Sequence, residues 1–285
     1  MKLKGVRSCC FKNSASKFGR YKRSSDGQWV QRYQCKHCKK TYSRASFKPE
    51  YNQNKRQINH LCMKLLASGV SMRRTAKLLK VHRITVARKL EFLSKKYSKK
   101  VFNNSDLFKE TKAIQFDELQ TIEHTKCKPV SVAVAVSTKT QKVLGLTVSK
   151  MPATGHLSSI SRKKYGVRQD ERLQGLRSLF DHLQERLSPT IHIESDECSM
   201  YRGVVNSAFP KATYQQFKGL KASPYGLGEL KKSLNDPLFS INHTFAMFRA
   251  NISRLIRRTW NTTKKIPRLL DHLIIFCWVF NRGII

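Results

Sequence analysis

Apolar residues in the second part of the chain recur with the three- to four-residue period of a helix. The first run of this kind comprises Ile58, Leu61, Cys62, Leu65 and Leu66. Gly69 follows it and can adopt the left-handed conformation that ends a helix. Ser71 is then a suitable N-cap for a second helix, because its hydroxyl can accept a hydrogen bond from the first turn.

The same pattern continues through the next two predicted helices. Leu78 and Leu79 are expected to face the core from the second helix, and a third helix is expected from about Ile84 to Ser94. The pattern predicts a helix-turn-helix within residues 52–98. An ordinary helical hairpin is the alternative interpretation.

Residues 112–285 alternate short apolar runs with amphipathic stretches. The runs predict strands near 113–119, 130–136, 142–148 and 190–196, and the amphipathic stretches predict helices over 173–187 and 269–280. A polar turn at 137–141 joins the second and third strands, which indicates an antiparallel meander. The expected fold class is therefore mixed α/β.

Residues 1–48 contain few aliphatic residues and one CxxC motif, formed by Cys35 and Cys38. Two cysteines with this spacing suit tetrahedral zinc, and a zinc ribbon needs a second pair. The upstream candidates are Cys9 and Cys10, and because neighbouring side chains point apart we expect their joint ligation of one metal to be awkward. The section predicts a zinc-ribbon-like module, with a metal-free basic β-hairpin arm as the alternative.

The net positive charge of the chain limits the classes of binding partner. The chain has 56 Lys and Arg residues against 18 Asp and Glu, a formal net charge of +38. Such a surface favours a polyanion, because binding releases the counterions condensed on phosphates. No run reaches the roughly 18 to 20 apolar residues of a membrane span, and no secretory signal opens the chain. We expect a soluble cytoplasmic protein, associated with the nucleoid, that binds nucleic acid and not a membrane.

Several residues are positioned for DNA contacts. The start of the third predicted helix would enter the major groove with His82, Arg83, Thr85 and Arg88. Basic runs such as 254–258 and 264–265 are expected to follow phosphates.

Two predicted strands end in a carboxylate, Asp117 on the first and Asp196 on the fourth. Neighbouring strands would bring both to one divalent cation, for which Mg²⁺ prefers oxygen ligands. Two such ions can assist the attacking and leaving oxygens in phosphoryl transfer. The alternative is that each aspartate only caps its strand.

These residues resemble bacterial insertion-sequence transposases that have an RNase H-like, retroviral-integrase-type catalytic domain. The matching segments are Gln115 to Glu118, Glu123 to Lys126, Ser195 to Glu197 with Tyr201, and Asn242 through Trp260. The resemblance implies a mixed sheet flanked by helices over residues 112–285. It also implies that the ribbon-like module and the helix-turn-helix bind the ends of the element.

The resemblance implies a third catalytic residue and a basic residue beyond it on the same helix. Such proteins usually carry a Glu on a helix after the second Asp, and one branch carries Asn there. This chain resembles that branch, with Asn242 at this position and Arg249 two helical turns later. Glu229 and Asp236 are the rivals for this position, and His243 is a further candidate.

The implied activity is cleavage and joining of DNA with Mg²⁺ or Mn²⁺, and Zn²⁺ is expected only at the cysteines. Synapsis of two ends would need a homo-oligomer on DNA. The alternatives are a non-catalytic DNA-binding regulator and an inactive transposase copy.

Overall fold

The structure is a computed structural model that describes residues 8–11, 15–51, 53–218, 236–256 and 261–284. Glu229, one rival for the third catalytic position, lies outside these described residues. The chain divides into two compact units, residues 1–61 and 62–285.

The first unit is built on a small antiparallel sheet. Its three strands are adjacent in chain order: β1 (Ala15–Lys22), β2 (Trp29–Cys35) and β3 (Thr41–Ser43). Most side chains of β1 are exposed, whereas Cys35 at the end of β2 is fully buried. A sheet this small buries little apolar surface, so a cross-link such as a metal would add much to its stability.

Three helices come next, near the predicted positions: α1 (Asn59–Ala67), α2 (Met72–Leu78) and α3 (Arg83–Val101). Gly69 has φ +76°, and the Ser71 hydroxyl accepts from the backbone N–H of Arg74 at 3.4 Å. Both predicted helix-end signals are thus confirmed. The prediction for Leu78 is wrong, because its side chain is 63% exposed, whereas Leu79 packs against the core.

The last helix of this trio is longer than predicted. It ends at Val101, not near Ser94, because Leu93 and Val101 are both buried. The segment after it is also packed, since Leu107 and Phe108 lie in the core.

A five-stranded mixed sheet forms the centre of the second unit. Its strands are β4 (Ala113–Ile122), β5 (Pro129–Ser137), β6 (Val143–Lys150), β7 (His192–Asp196) and β8 (Thr213–Phe217). They are ordered β6-β5-β4-β7-β8. The first three strands form the predicted antiparallel meander, and β7 and β8 add parallel to β4. The fourth predicted strand is confirmed as β7, and β8 was not predicted.

Helices cover both faces of this sheet: α5 (Arg172–Gln184) and α6 (Ser199–Ala208) on one, α7 (Phe239–Asn251) and α8 (Ile266–Phe280) on the other. A further helix, α4 (Leu157–Tyr165), contributes no residue to either core cluster of the described residues. Ile114 and Phe116 pack with α5 and α6, while Leu119 packs with α7 and α8. In β5 the valines face α7 and α8 and the alanines face α5 and α6, which explains why this strand is apolar throughout.

The predicted mixed α/β class, with a mixed sheet flanked by helices, is therefore confirmed. Helices α1 and α3 join the same core as α7 and α8, and Tyr97 of α3 stacks on Trp278 of α8 with ring centroids 4.3 Å apart. Within the described ranges, no helix combines the length and apolarity needed to cross a membrane.

Candidate functional site

The two aspartates lie on adjacent parallel strands in the middle of the sheet. Gln115 of β4 pairs with Glu194 of β7, an offset of 79 residues. The same offset relates Asp117 to Asp196, so both side chains lie at one level across the strand pair. Their proximity was predicted, and the parallel pairing produces it. Asp196 ends β7 as predicted, but the prediction that Asp117 ends its strand is wrong, because the pairing with β5 continues β4 to Ile122.

Strand alternation assigns both carboxylates to the face of the sheet that carries α7, although Oδ1 of Asp117 also reaches the hydroxyl of Tyr201, which packs on the other face. Successive side chains of a strand alternate between faces, and Leu119, two positions after Asp117, packs with α7 and α8. Gln115, two positions before, accepts a hydrogen bond from the Ile241 N–H at 3.1 Å. Its side-chain amide also donates to Glu194 at 2.8 Å and to the Pro237 carbonyl at 2.7 Å.

Gln115 thereby fixes the first turn of α7 over the strand pair. The Ile241 N–H has no partner within its own helix because it belongs to the first turn. One glutamine side chain satisfies it while also bonding to the neighbouring strand. Sequence reasoning missed this role, because the contact spans 126 residues and leaves no local pattern.

The electrostatics of the pair favour a cation. Burial, and then the negative charge of Asp196, raise the pKa of Asp117 to about 7. Burial and the charge of Glu118 also raise the pKa of Asp196. Both shifts have the sign expected when like charges share a partly desolvated site.

The carboxylate of Asp117 has hydrogen-bond partners within the chain, whereas one oxygen of the Asp196 carboxylate has none among the described residues. Oδ1 of Asp117 accepts from the Glu118 N–H at 2.6 Å and lies 3.2 Å from the Tyr201 hydroxyl. Oδ1 of Asp196 is buried and has no hydrogen-bond partner among the described residues. An unpaired buried carboxylate oxygen beside a second carboxylate is a position that a cation could occupy.

Glu118 and Tyr201 extend this site and were not assigned roles from sequence. The Tyr201 hydroxyl lies 3.4 Å from Oε2 of Glu118, whose other oxygen accepts from the Ser131 hydroxyl at 2.5 Å. Tyr201 is 2% exposed, so burial fixes its position. An adjacent acid pair in a chain with only 18 acids was a signal that could have indicated Glu118.

The predicted third ligand lies on α7. Asn242 is exposed, and its amide donates to Asp236 at 3.1 Å. Asp236 also accepts from the Leu238 N–H at 3.1 Å, so that carboxylate helps to begin the helix. No hydrogen bond between described residues joins Asn242 to Asp117 or Asp196, and its role stays a prediction.

The remaining residues predicted on α7 are partly buried. His243 stacks on Phe239, with ring centroids 5.8 Å apart. Arg249 lines a cleft of about 290 Å³ together with the end of β4.

The four N-terminal cysteines converge. The sulfur atoms of Cys9, Cys10, Cys35 and Cys38 all lie within 4.8 Å of one another, and those of Cys10 and Cys38 are 3.6 Å apart. A tetrahedral zinc with Zn–S bonds of about 2.3 Å separates its sulfurs by about 3.8 Å. This thiol set could bind a metal ion such as zinc.

The expected difficulty with adjacent cysteines is not met. Cys9 and Cys10 lie in a 3₁₀ turn, Ser8–Phe11, and that backbone brings both sulfurs into the cluster. On the other side, Lys39 adopts φ +56° and its N–H donates to the Cys35 carbonyl at 3.0 Å, which closes the CxxC turn. A backbone hydrogen bond at Lys40 lowers the pKa of Cys38 to about 7, which favours the metal-binding thiolate.

The residues predicted to contact DNA lie in the first turns of α3. His82, Arg83 and Arg88 are exposed, and Thr85 is half-buried. Nδ1 of His82 accepts from the Ile84 N–H at 3.3 Å, so this ring caps the helix and keeps only Nε2 for another partner. Val86 and Leu90 on the opposite side are fully buried, which orients the polar side outward.

Comparison with known proteins adds no identification. No protein-family model matches the chain, and no curated protein matches it.

Proposed function

We propose that this protein is a DNA transposase in which residues 112–285 form an RNase H-like catalytic domain. The observation that carries the proposal is the pair Asp117 and Asp196, at one level on adjacent parallel strands, with one buried carboxylate oxygen unpaired among the described residues. The mixed sheet with helices on both faces supports the same class, and so does the resemblance of the motifs around both aspartates.

The chain's residues have distinct roles in this proposal. Asp117 and Asp196 hold the cation, Tyr201 keeps Asp117 oriented, and Asn242 completes the ligand shell. A divalent cation, when bound, supplies charge stabilisation to the attacking and leaving oxygens. Arg249 contacts a phosphate of the DNA.

The reaction is a pair of in-line displacements at phosphorus. In the first, water attacks a phosphodiester at the end of the element, the bond from phosphorus to the 3′-oxygen breaks, and a 3′-hydroxyl is released. In the second, that hydroxyl attacks a phosphodiester of the target and displaces the target's own 3′-oxygen. Neither step needs a covalent protein intermediate.

DNA binding belongs to the basic modules. The start of α3 reads the major groove with His82, Arg83, Thr85 and Arg88. The ribbon-like unit, with zinc in its four-cysteine cluster, adds backbone contacts. A homodimer holds two ends together, and light scattering of the complex that showed a single protomer would contradict this part.

The experiment is Mg²⁺- or Mn²⁺-dependent nicking and joining of DNA that carries the element's flanking ends. We expect the wild-type protein to cut and join, and Asp117→Asn and Asp196→Asn to lose at least about 10³-fold in rate while retaining DNA binding. Asp181→Asn, an exposed aspartate on α5, is the matched control and should behave as wild type.

Two outcomes would reject the proposal. Binding without cleavage in all four proteins would identify a regulator or an inactive copy. Cleavage that persists in both site variants would place the chemistry elsewhere. Asn242→Asp tests the third position separately, since a retained or increased rate would support metal ligation there.

A further inference from the structure

A basic cavity lies between the helix-turn-helix and the segment that leads into α8. Its volume is about 330 Å³, and its lining includes four cationic side chains, Arg73, Arg83, Arg254 and Lys264. None of its lining residues is acidic. Arg73 and Arg83 come from α2 and α3, whereas Arg254 follows α7 and Lys264 precedes α8.

A histidine on α8 holds one of these cations. Nε of Arg254 donates to Nδ1 of His272 at 3.0 Å, and His272, which also lines the cavity, is 1% exposed. Burial, and then the charge of Arg254, lower the pKa of His272 to about 3, so the ring is neutral at pH 7.

The remaining nitrogen of this histidine is an unused donor. Because Nδ1 accepts from Arg254, the ring proton lies on Nε2, which is buried with no hydrogen-bond partner among the described residues. The neighbouring carboxylate, Asp271, pairs with Arg268 at 2.5 Å. The cavity therefore combines one half-buried guanidinium group, whose charge Asp271 partly offsets, with one unsatisfied N–H donor and three further cations.

Such a set is unfavourable without a ligand. Like charges repel, and a partly desolvated guanidinium group loses hydration that an anion would replace. Phosphate suits the site because its oxygens accept several hydrogen bonds from Arg and Lys at once.

We propose that this cavity binds one backbone phosphate of DNA, held jointly by Arg73, Arg83, Arg254 and Lys264. The inference rests on the proposed function for its choice of DNA, because Arg83 is itself one of the residues at the start of α3 that are expected to contact DNA. A single phosphate would then contact α2 and α3 together with the residues that flank α8.

The test is a double-mutant cycle on DNA affinity, measured by fluorescence anisotropy of a labelled duplex in EDTA. Arg73→Gln and Lys264→Gln are suitable because both side chains are exposed and their loss spares the core. We expect each change to weaken binding by about 3- to 10-fold and to reduce the salt slope by about one.

Shared contact with one phosphate predicts coupling. The double variant should lose at least about threefold less affinity than the product of the single losses, because residues that share a partner are not additive. The matched control is Lys265→Gln, which removes an exposed neighbouring charge that does not line the cavity. Combined with Arg73→Gln it should be additive, and additivity in both cycles would overturn the proposal.

A second arm separates DNA phosphate from free phosphate and from the proposed function. Inorganic phosphate, at the ionic strength of a chloride reference, should raise the melting temperature of the wild type more than that of Arg73→Gln/Lys264→Gln. Phosphate stabilisation without coupling on DNA would overturn the DNA assignment. Coupling on DNA in a protein that neither nicks nor joins would support the cavity and reject the transposase.

Discussion

Asp117 shows how one residue's surroundings can prepare it for a cation. It accepts hydrogen bonds from Glu118 and Tyr201, yet burial and Asp196 still raise its pKa to about 7. Its hydrogen bonds therefore offset only part of the cost of ionisation. The remainder is available to a bound cation, which would favour the ionised form.

This shift predicts a pH-dependent stability in the absence of metal. An unfolded aspartate titrates near pH 4, so between about pH 4 and 7 the folded chain holds a proton that the unfolded chain has released. The wild type should lose stability as pH rises through that window. Asp117→Asn should be more stable than wild type at pH 8 by on the order of 1–3 kcal/mol, measured by urea unfolding in EDTA.

The control for this experiment is Asp181→Asn, which removes the same charge from an exposed position on α5. Its free energy of unfolding should differ little from that of the wild type, both within the window of about pH 4 to 7 and at pH 8. Mg²⁺ should stabilise the wild type at pH 8 and leave Asp117→Asn unchanged, since a ligand stabilises only the state that binds it. Equal pH profiles for Asp117→Asn and wild type would contradict the assigned environment.

Sequence identified this residue but not its support. Asp117 and Asp196 were predictable because each follows an apolar run in a chain with few acids, although only Asp196 ends its strand. Gln115 and Tyr201 were not, because Gln115 bonds to residues 79 and 122 positions away and the Tyr201 contact spans 84 residues. Such contacts depend on the folded topology and carry no local period.

At the scale of elements, the four-cysteine cluster joins the 3₁₀ turn to the CxxC turn. We predict one zinc ion per chain, measured by metal analysis of the purified protein. Cys35→Ser should lose most of it and lower the melting temperature of the first unit, because Cys35 is a fully buried member of the cluster. Cys198→Ser, outside the cluster, should retain zinc, and equal metal content in both variants would contradict the assignment.

Close packing of α5 on β6 gives a second prediction at this scale. A methyl group at Gly145 would lie 2.7 Å from Leu179 and 3.4 Å from His182, and Leu179 is 1% exposed. Gly145→Ala should therefore destabilise the protein by about 1–3 kcal/mol in urea unfolding.

The matched control is Gly203→Ala on α6, where an added methyl meets nothing within 4 Å. Alanine there should stabilise the helix by about 0.5–1 kcal/mol. Destabilisation of both variants to the same extent would show that space beside β6 is not the cause.

Elements with a strong local pattern were predictable, and elements defined by their neighbours were not. The meander and β7 followed from apolar runs with polar turns between them. The end of α3 did not, because residues after Ser94 are mostly basic or polar and only packing on α8 extends the helix. β8 was missed because Thr213–Phe217 has no fully buried residue and pairs along one side only.

At the scale of the whole molecule, the net charge of +38 should dominate affinity for DNA. If six to ten phosphates are neutralised, affinity should fall by about 10³- to 10⁵-fold between 50 and 200 mM salt. Anisotropy titrations with a labelled duplex measure this slope. An affinity that is nearly constant over this range would contradict a role in phosphate binding for the basic surface.

The continuity of α3 has a geometric consequence. This helix has 19 residues, about 28 Å of length, and runs from exposed Arg83 to buried Val101 while Tyr97 stacks on α8. DNA bound at its first turn would be held at a separation from the core that a rigid helix sets, not a flexible linker. The position of the proposed cleavage would then be determined by its distance from the bound sequence, and not by the bases at the cut.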